Sequence, residues 1–169
     1  SDAGEVYELC RGTFREEYHI TEERILESLF EDPDFSAEES KKIVDEKNGR
    51  MIGFIGVKVS HNEQLYPASA WISIFAVKKE EQGKGYGTMV LNQVCQSLHK
   101  NGINKIYVGQ DFNNFFSGIP DPDEGKEIFF KKNGFTLNRD RHFDLEADIT
   151  DNRLIDSFDT SSFDKEFTV

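Results

Sequence analysis

The chain has 169 residues, which suits one ordinary domain and excludes two large ones. Its 37% hydrophobic content and fifteen Phe supply enough apolar surface for a core, so the 31% charged content does not mark a disordered chain. A net charge of −12 repels phosphate backbones and argues against a nucleic-acid partner.

No apolar run approaches the ~20 residues that span a bilayer, and Ser1-Asp2-Ala3-Gly4-Glu5 lacks the basic segment of a secretory leader. Cys10 and Cys95 stand too far apart in sequence for a dense disulfide framework, so free thiols in a reducing cytoplasm are expected. His19, His61, His99 and His142 are scattered and give no zinc spacing.

In chain order, Val6, Leu9, Cys10, Phe14 and Tyr18 recur at three- and four-residue steps and predict a helix with one apolar face. Thr21 then reads as the N-cap of a second helix, with Glu22 and Glu23 at its positive end and Ile20 stapled to Ile25. Leu26, Leu29 and Phe30 extend its buried face, and Asp32-Pro33 ends it. Ser40 to Lys47 reads as a strand, Asn48-Gly49 as a two-residue hairpin, and Arg50 to Ser60 as the next strand.

A polar loop from His61 to Pro67 precedes Ala70 to Val77, which is apolar on both faces, as in the middle of a covered sheet. Alternation places Trp71, Ser73 and Phe75 on one face of that strand. A glycine-rich run, Gln82 to Gly87, opens a helix through Leu98 that Asn101-Gly102 closes. Ile103 to Gln110 follows as a strand, then a long loop to Asp123, a short helix from Glu124 to Asn133, and a strand from Phe135 to Ile149. The acidic stretch 150–169 reads as a tail or edge segment, giving a division into a domain over 1–149 and this segment. The order of elements predicts an α/β or α+β fold with a mixed sheet, in which the unit around 70–110 makes a parallel pair.

The chemistry concentrates at Gln82-Gly83-Lys84-Gly85-Tyr86-Gly87-Thr88, a turn between strand and helix. Glycines let main-chain N–H groups converge at the positive end of a helix dipole, which suits phosphate oxygens. The spacing fits neither a Walker A loop nor Gly-x-Gly-x-x-Gly, and a merely tight turn is the alternative.

The run Phe75-Ala76-Val77, followed after a short spacer by Gln82-x-x-Gly85-x-Gly87 and an apolar helix, resembles motif A of the GNAT-family N-acetyltransferases. Ile128-Phe129-Phe130-Lys131-Lys132-Asn133-Gly134-Phe135 resembles the family's second signature, in the right order and separation. The resemblance covers roughly residues 6 to 149. It implies a mixed, mostly antiparallel central sheet with helices on both faces, and acetyl-CoA as cosubstrate. The main chain of Gln82, Gly83, Lys84, Gly85, Tyr86, Gly87 and Thr88 would hold the pyrophosphate. Phe75, Ala76 and Val77 would pair with the pantetheine arm, and the Val77 amide would serve the oxyanion. Lys84 offsets phosphate charge or is simply solvated.

The implied reaction is N-acetylation of a primary amine, on a small molecule or a peptide, by direct attack on the thioester. An ammonium with pKa near 10.4 must first lose a proton. Asp111, just past a strand flanking the thioester, is the first choice of base; a hydrogen-bonding role at the loop entry is the alternative. Glu80 and Glu81 read as solvated, and His61 and Tyr66 as surface residues or the mouth of an acceptor site. The loop carrying Phe112, Phe115, Phe116, Ile119 and Pro120 packs under the last helix or walls an acceptor pocket.

The chain departs from the family where Phe130 stands in place of a Tyr whose hydroxyl would serve the sulfur, where Asp123 replaces Asn, and where Lys126 replaces Ala. Tyr86, Tyr107 or water are the substitutes for that hydroxyl. A CoA-binding domain with little or no catalysis is therefore the second functional reading, acting in regulation or as half of a two-domain protein. Family members usually open with a strand, and none precedes Val6 here, which leaves truncation or true loss of that strand as alternatives. A homodimer is compatible with the sequence.

Overall fold

The computed structural model describes residues 2–119 and 124–137. The first apolar stripe lies along α1 (Asp2–Thr13), where Val6, Leu9 and Cys10 are buried. The helix stops before Phe14 and Tyr18. The Thr13 hydroxyl donates to the Leu9 carbonyl, and a single 3-10 turn, Glu16–Tyr18, closes on left-handed His19. Phe14 is nevertheless buried, and Tyr18 packs against the same cluster.

Thr21 caps α2 (Glu22–Ile25) as its sequence position suggests: its hydroxyl oxygen accepts the Arg24 N–H at 3.1 Å. The helix then widens into a π turn, Leu26–Phe30, that keeps Leu29 fully buried.

Strand β1 (Lys41–Val44) is shorter than the sequence suggests, and the turn after it is wider. Asp45 is the cause. Its carboxylate accepts from the Lys47 N–H at 2.9 Å and the Asn48 side-chain amide at 2.7 Å. Its carbonyl takes the Gly49 N–H at 2.8 Å, and its own N–H donates to the Arg50 carbonyl at 2.9 Å, so the loop runs from Glu46 to Gly49.

Strands β2 (Met51–Val59) and β3 (Ser69–Val77) form the centre of a four-stranded sheet in the order β1-β2-β3-β4, with β4 at Lys105–Val108. The first two pairings are antiparallel, and β3 pairs with β4 in parallel across α3 (Tyr86–Lys100).

Helices cover both faces. On one, α1 and α2 pack on Met51, Phe54, Ile74 and Ala76. On the other, α3 buries Val90, Leu91, Val94 and Leu98 against Ile55, Val57 and Ile72. Burying each such side chain contributes about 1.5–3 kcal/mol, so this second face is a main source of stability. Helix α4 (Glu124–Lys132) adds Phe129 and Phe130 to it.

Phe135 to Leu137 are irregular; the rest of the strand expected to Ile149, and the segment 150–169, lie outside the described residues. Among the described residues no helix is long and apolar enough to cross a membrane.

Candidate functional site

The sheet opens at a defined point. Pairing between β3 and β4 ends at Ile72 with Val108, followed by one bond from the Gly109 N–H to the Ile72 carbonyl at 2.9 Å. The chain then leaves the sheet through Gly109 and Gln110, both at φ 66°. Glycine is required at the first of them, because a Cβ on Gly109 would lie 2.4 Å from the Phe116 carbonyl oxygen. Residues Ser73 to Val77 therefore have no strand opposite them among the described residues on the β4 side, while Ile74 to Val77 keep β2 on the other.

A bulge decides which way their amides point. Ile72 pairs with Val57 and Ile74 with Gly56, so Ser73 has no partner on β2. Past the bulge, the Lys78 N–H donates to the Ile52 carbonyl on the β2 side at 2.9 Å. Main-chain groups alternate along a strand, so Ala76 shares that direction and the amides of Phe75 and Val77 face the opening.

The same bulge corrects the expected alternation of side chains. Trp71 lies on the α1-side face, edge-to-face with Tyr66 and stacked on Tyr107. Phe75 lies on the other face, between Phe129 at 5.7 Å and Phe130 at 6.1 Å. The one extra residue breaks the two-residue period.

The glycine-rich turn closes one end of the opening. Gly83 and Gly85 have φ of 76° and 89°, in the left-handed region, and no atom stands within 4 Å of a Cβ built on either. Backbone conformation rather than crowding selects glycine there. Gly85 caps α3, whose first-turn N–H groups, at Tyr86, Gly87 and Thr88, have no intrahelical acceptor. The Gln82 side-chain amide donates to the Val77 carbonyl at 2.8 Å, tying the turn to the strand end. Lys84 pairs with Glu81 at 3.0 Å, both on the surface side of the turn. Gly87 approaches the Phe129 ring, which a Cβ would meet at 3.4 Å. Phe130 is 6% exposed and forms the apolar wall from α4.

Asp111 is not an open carboxylate at a loop mouth. It is 4% exposed; Oδ1 accepts from Lys58 Nζ and Oδ2 from the Ser73 hydroxyl at 2.9 Å. Lys58, buried on β2, also donates to Asp32 at 2.9 Å and to the Asn113 carbonyl at 3.1 Å. The partners are side chains, not the main-chain N–H groups that a loop-entry role calls for. Sequence reading missed Lys58 and took Asp32 as a helix stop. The available signal was a lysine inside the apolar run Met51–Val59, in phase with inward-facing Phe54.

The aromatic loop divides. Phe115 is buried with Phe14 on the α1 side and not under α4; Phe116 joins it, Ile119 packs with the α3-side cluster, and Phe112 is exposed. His61 pairs with Asp34 at 2.7 Å on the surface. Tyr86 packs against the α3-side core, and Tyr107 lies on Trp71.

The described opening, glycine-rich turn and helix start coincide with a match to the Acetyltransferase (GNAT) family over residues 3–117. The chain belongs to the GNAT family. Members of that family are acetyl-CoA-dependent acyltransferases. No curated protein matches this GNAT chain in sequence.

Several solved structures share its fold. The glucosamine N-acetyltransferase region of a fungal multi-domain GH3 β-N-acetylglucosaminidase has a TM-score of 0.72 at 21% identity, over 83% of this chain and 16% of that one. An aminoglycoside acetyltransferase from an uncultured soil metagenomic sample, in complex with sisomicin, has a TM-score of 0.60 at 17% identity, over 87% and 91% of the two chains. The ribosomal-protein-S18-alanine N-acetyltransferase of Escherichia coli has a TM-score of 0.59 at 15% identity, over 80% and 72%. This GNAT chain thus spans about a sixth of the fungal protein's length.

Proposed function

We propose that this GNAT chain transfers the acetyl group of acetyl-CoA to a primary amine of a small molecule or peptide by direct attack. The observation that carries the reading is the open edge of β3, where the Phe75 and Val77 amides face a gap that begins beside the glycine-rich turn. In this reading the main chain of Gln82 to Thr88 holds the pyrophosphate at the positive end of α3, with Lys84 lending charge. Phe75, Ala76 and Val77 receive the pantetheine arm as an added strand, against the wall formed by Phe130.

The Val77 amide faces the gap and stabilises the oxyanion as the amine nitrogen bonds to the thioester carbon. The carbon–sulfur bond then breaks, CoA leaves as its thiol, and the one surplus proton of the ammonium goes to solvent. The acidic surface favours cationic acceptors. The fungal, bacterial and metagenomic relatives are named for amine acceptors as unlike as glucosamine, aminoglycosides and a ribosomal-protein alanine, which supports the amine class and no single member of it. A cytoplasmic location belongs to the same proposal.

Phe130 favours a second reading, because a buried phenyl ring has no proton for the sulfur: a domain that binds CoA and transfers little. Calorimetric titration with acetyl-CoA tests the cofactor assignment, and CoA release across a panel of amines tests transfer. Saturable binding with amine-dependent release is the expected result. Binding that no amine converts to release selects the second reading, and absence of binding removes both.

A further inference from the structure

We infer that Asp111, with Lys58 and Ser73, is a buried positioning device that fixes the bulge of β3 and thereby aims the Phe75 and Val77 amides at the cosubstrate. The inference rests on the functional reading above and gives Asp111 a task other than proton abstraction.

The Lys58 ammonium has three N–H groups and meets three acceptors: Asp32 at 2.9 Å, Asp111, and the Asn113 carbonyl at 3.1 Å. Lys58 is 1% exposed, its bond to Asp111 is buried, and its bonds to Asp32 and Asn113 are partly buried. Asp111 uses one oxygen on Lys58 and the other on Ser73. A base must present a lone pair to an incoming ammonium, and this carboxylate is 4% exposed, with each oxygen turned to a donor in the interior.

The position of Ser73 gives the cluster its consequence. A bulged residue lacks the paired cross-strand residue that would hold it, and here its side chain supplies an anchor, the hydroxyl donating to Asp111. Through Ser73 the cluster reaches the one residue that sets the direction of every later amide in β3. Through Asp111 and Asn113 it also holds the segment leaving β4, whose departure makes the gap. Asn113 is bonded in turn to the Glu27 carbonyl at 2.8 Å, and Arg24 to the Phe115 carbonyl at 3.3 Å, so α2 braces the same segment. One buried lysine thus joins the three pieces of chain that shape the opening.

Two variants and two readouts test this. Ser73→Ala removes the anchor without disturbing the ion pair, and Asp111→Asn weakens both contacts. In amide NMR spectra of the free protein, Ser73→Ala is expected to shift the Phe75 and Val77 signals and to speed exchange at Ile74 and Ala76. In assays, both variants are expected to lose about tenfold in kcat/KM for acetyl-CoA, with KM for the amine and the pH midpoint of kcat unchanged. Unmoved Phe75 and Val77 signals in Ser73→Ala overturn the inference whatever the activity shows. So does an Asp111→Asn profile that has lost its acid limb, or a lower Tm with unchanged kcat/KM. If the wild-type chain does not bind acetyl-CoA, the functional reading fails by itself, and the NMR arm still decides whether Ser73 sets the strand.

Discussion

The side-chain amide of Gln82 donates to the main-chain carbonyl of Val77 across 2.8 Å, closing the turn between β3 and α3 onto the end of the strand. It couples the two parts of the proposed cosubstrate site: the amide that would meet the thioester oxygen and the turn that would hold the pyrophosphate. Gln82→Ala removes a hydrogen bond of about 0.5–1.5 kcal/mol near the surface. Acetyl-CoA affinity should fall about two- to tenfold, with Tm nearly unchanged. Calorimetric titration of the variant measures it, and wild-type affinity would show that the turn holds its shape unaided.

Gly85→Val places a β-branched residue at φ 89°, where left-handed backbone costs about 1–2 kcal/mol for a residue with a Cβ. Because a Cβ at this position has open space around it, the fold should survive with a lowered Tm while acetyl-CoA binding is lost. Gly12→Ala, at an exposed position of α1, is the opposite control. It has open space and no left-handed φ, and it should raise stability by about 0.5–1 kcal/mol. Denaturant melts and titrations on both variants separate backbone strain from loss of the ligand. Wild-type affinity for acetyl-CoA in a folded Gly85→Val protein would falsify the placement of the pyrophosphate.

Cys10 supplies a pH test. Burial pushes its thiol from 9.0 up to about 12. Below pH 9 the folded and unfolded chains both carry the proton. Above it the unfolded chain loses the proton first, so stability falls as pH rises toward 12, by at most about 1.4 kcal/mol per pH unit. Urea melts at pH 8 and pH 10.5 should show a steeper loss for wild type than for Cys10→Ala. Equal slopes would mean that Cys10 is not held in the apolar interior. The half-buried Cys95 thiol is also raised by burial, and it should alkylate before Cys10.

Glu39, 3% exposed, offers a stability test far from the gap. Asn101 donates its side-chain amide to Oε1 at 2.6 Å, while Oε2 has no hydrogen-bond partner among the described residues. Asn101→Ala leaves the buried carboxylate with neither oxygen bonded by a described residue and should cost about 1–3 kcal/mol. Glu39→Gln keeps an acceptor for Asn101 and carries no charge, so it should cost less. Denaturation midpoints of the two variants rank them; the reverse order would mean that the Asn101 contact does not hold Glu39.

Much of the fold was legible because its signals are local. The Thr21 cap, the apolar stripe of α3 and the uniformly apolar β3 each follow from neighbours within a few residues. The segments proposed for the cosubstrate stand out in the sequence for the same reason: Phe75 to Val77 and Gln82 to Thr88 are short runs, and the left-handed turn of the second is carried by its glycines. Asp45 shows the limit of a local rule, since Asn48-Gly49 alone suggests a tight hairpin until a side chain two or three residues earlier bonds into the loop. Asp111 shows a harder one, because its partners lie 53 and 38 positions away and nothing near it in the chain announces them.

Sequence by itself determined the order of helices and strands from α1 to α4, that the sheet is covered on both faces, and where a glycine turn meets a helix start. Those properties depend on short-range sterics and on the period of apolar residues. Only the tertiary structure decided that Ser73 is the extra residue of a bulge, that Phe75 and Val77 face an unpaired edge, and that Lys58 gathers Asp32 and Asp111 in the interior. Strand register and buried charge pairing are settled between distant segments, where desolvating an ammonium demands acceptors from whatever chain lies beside it.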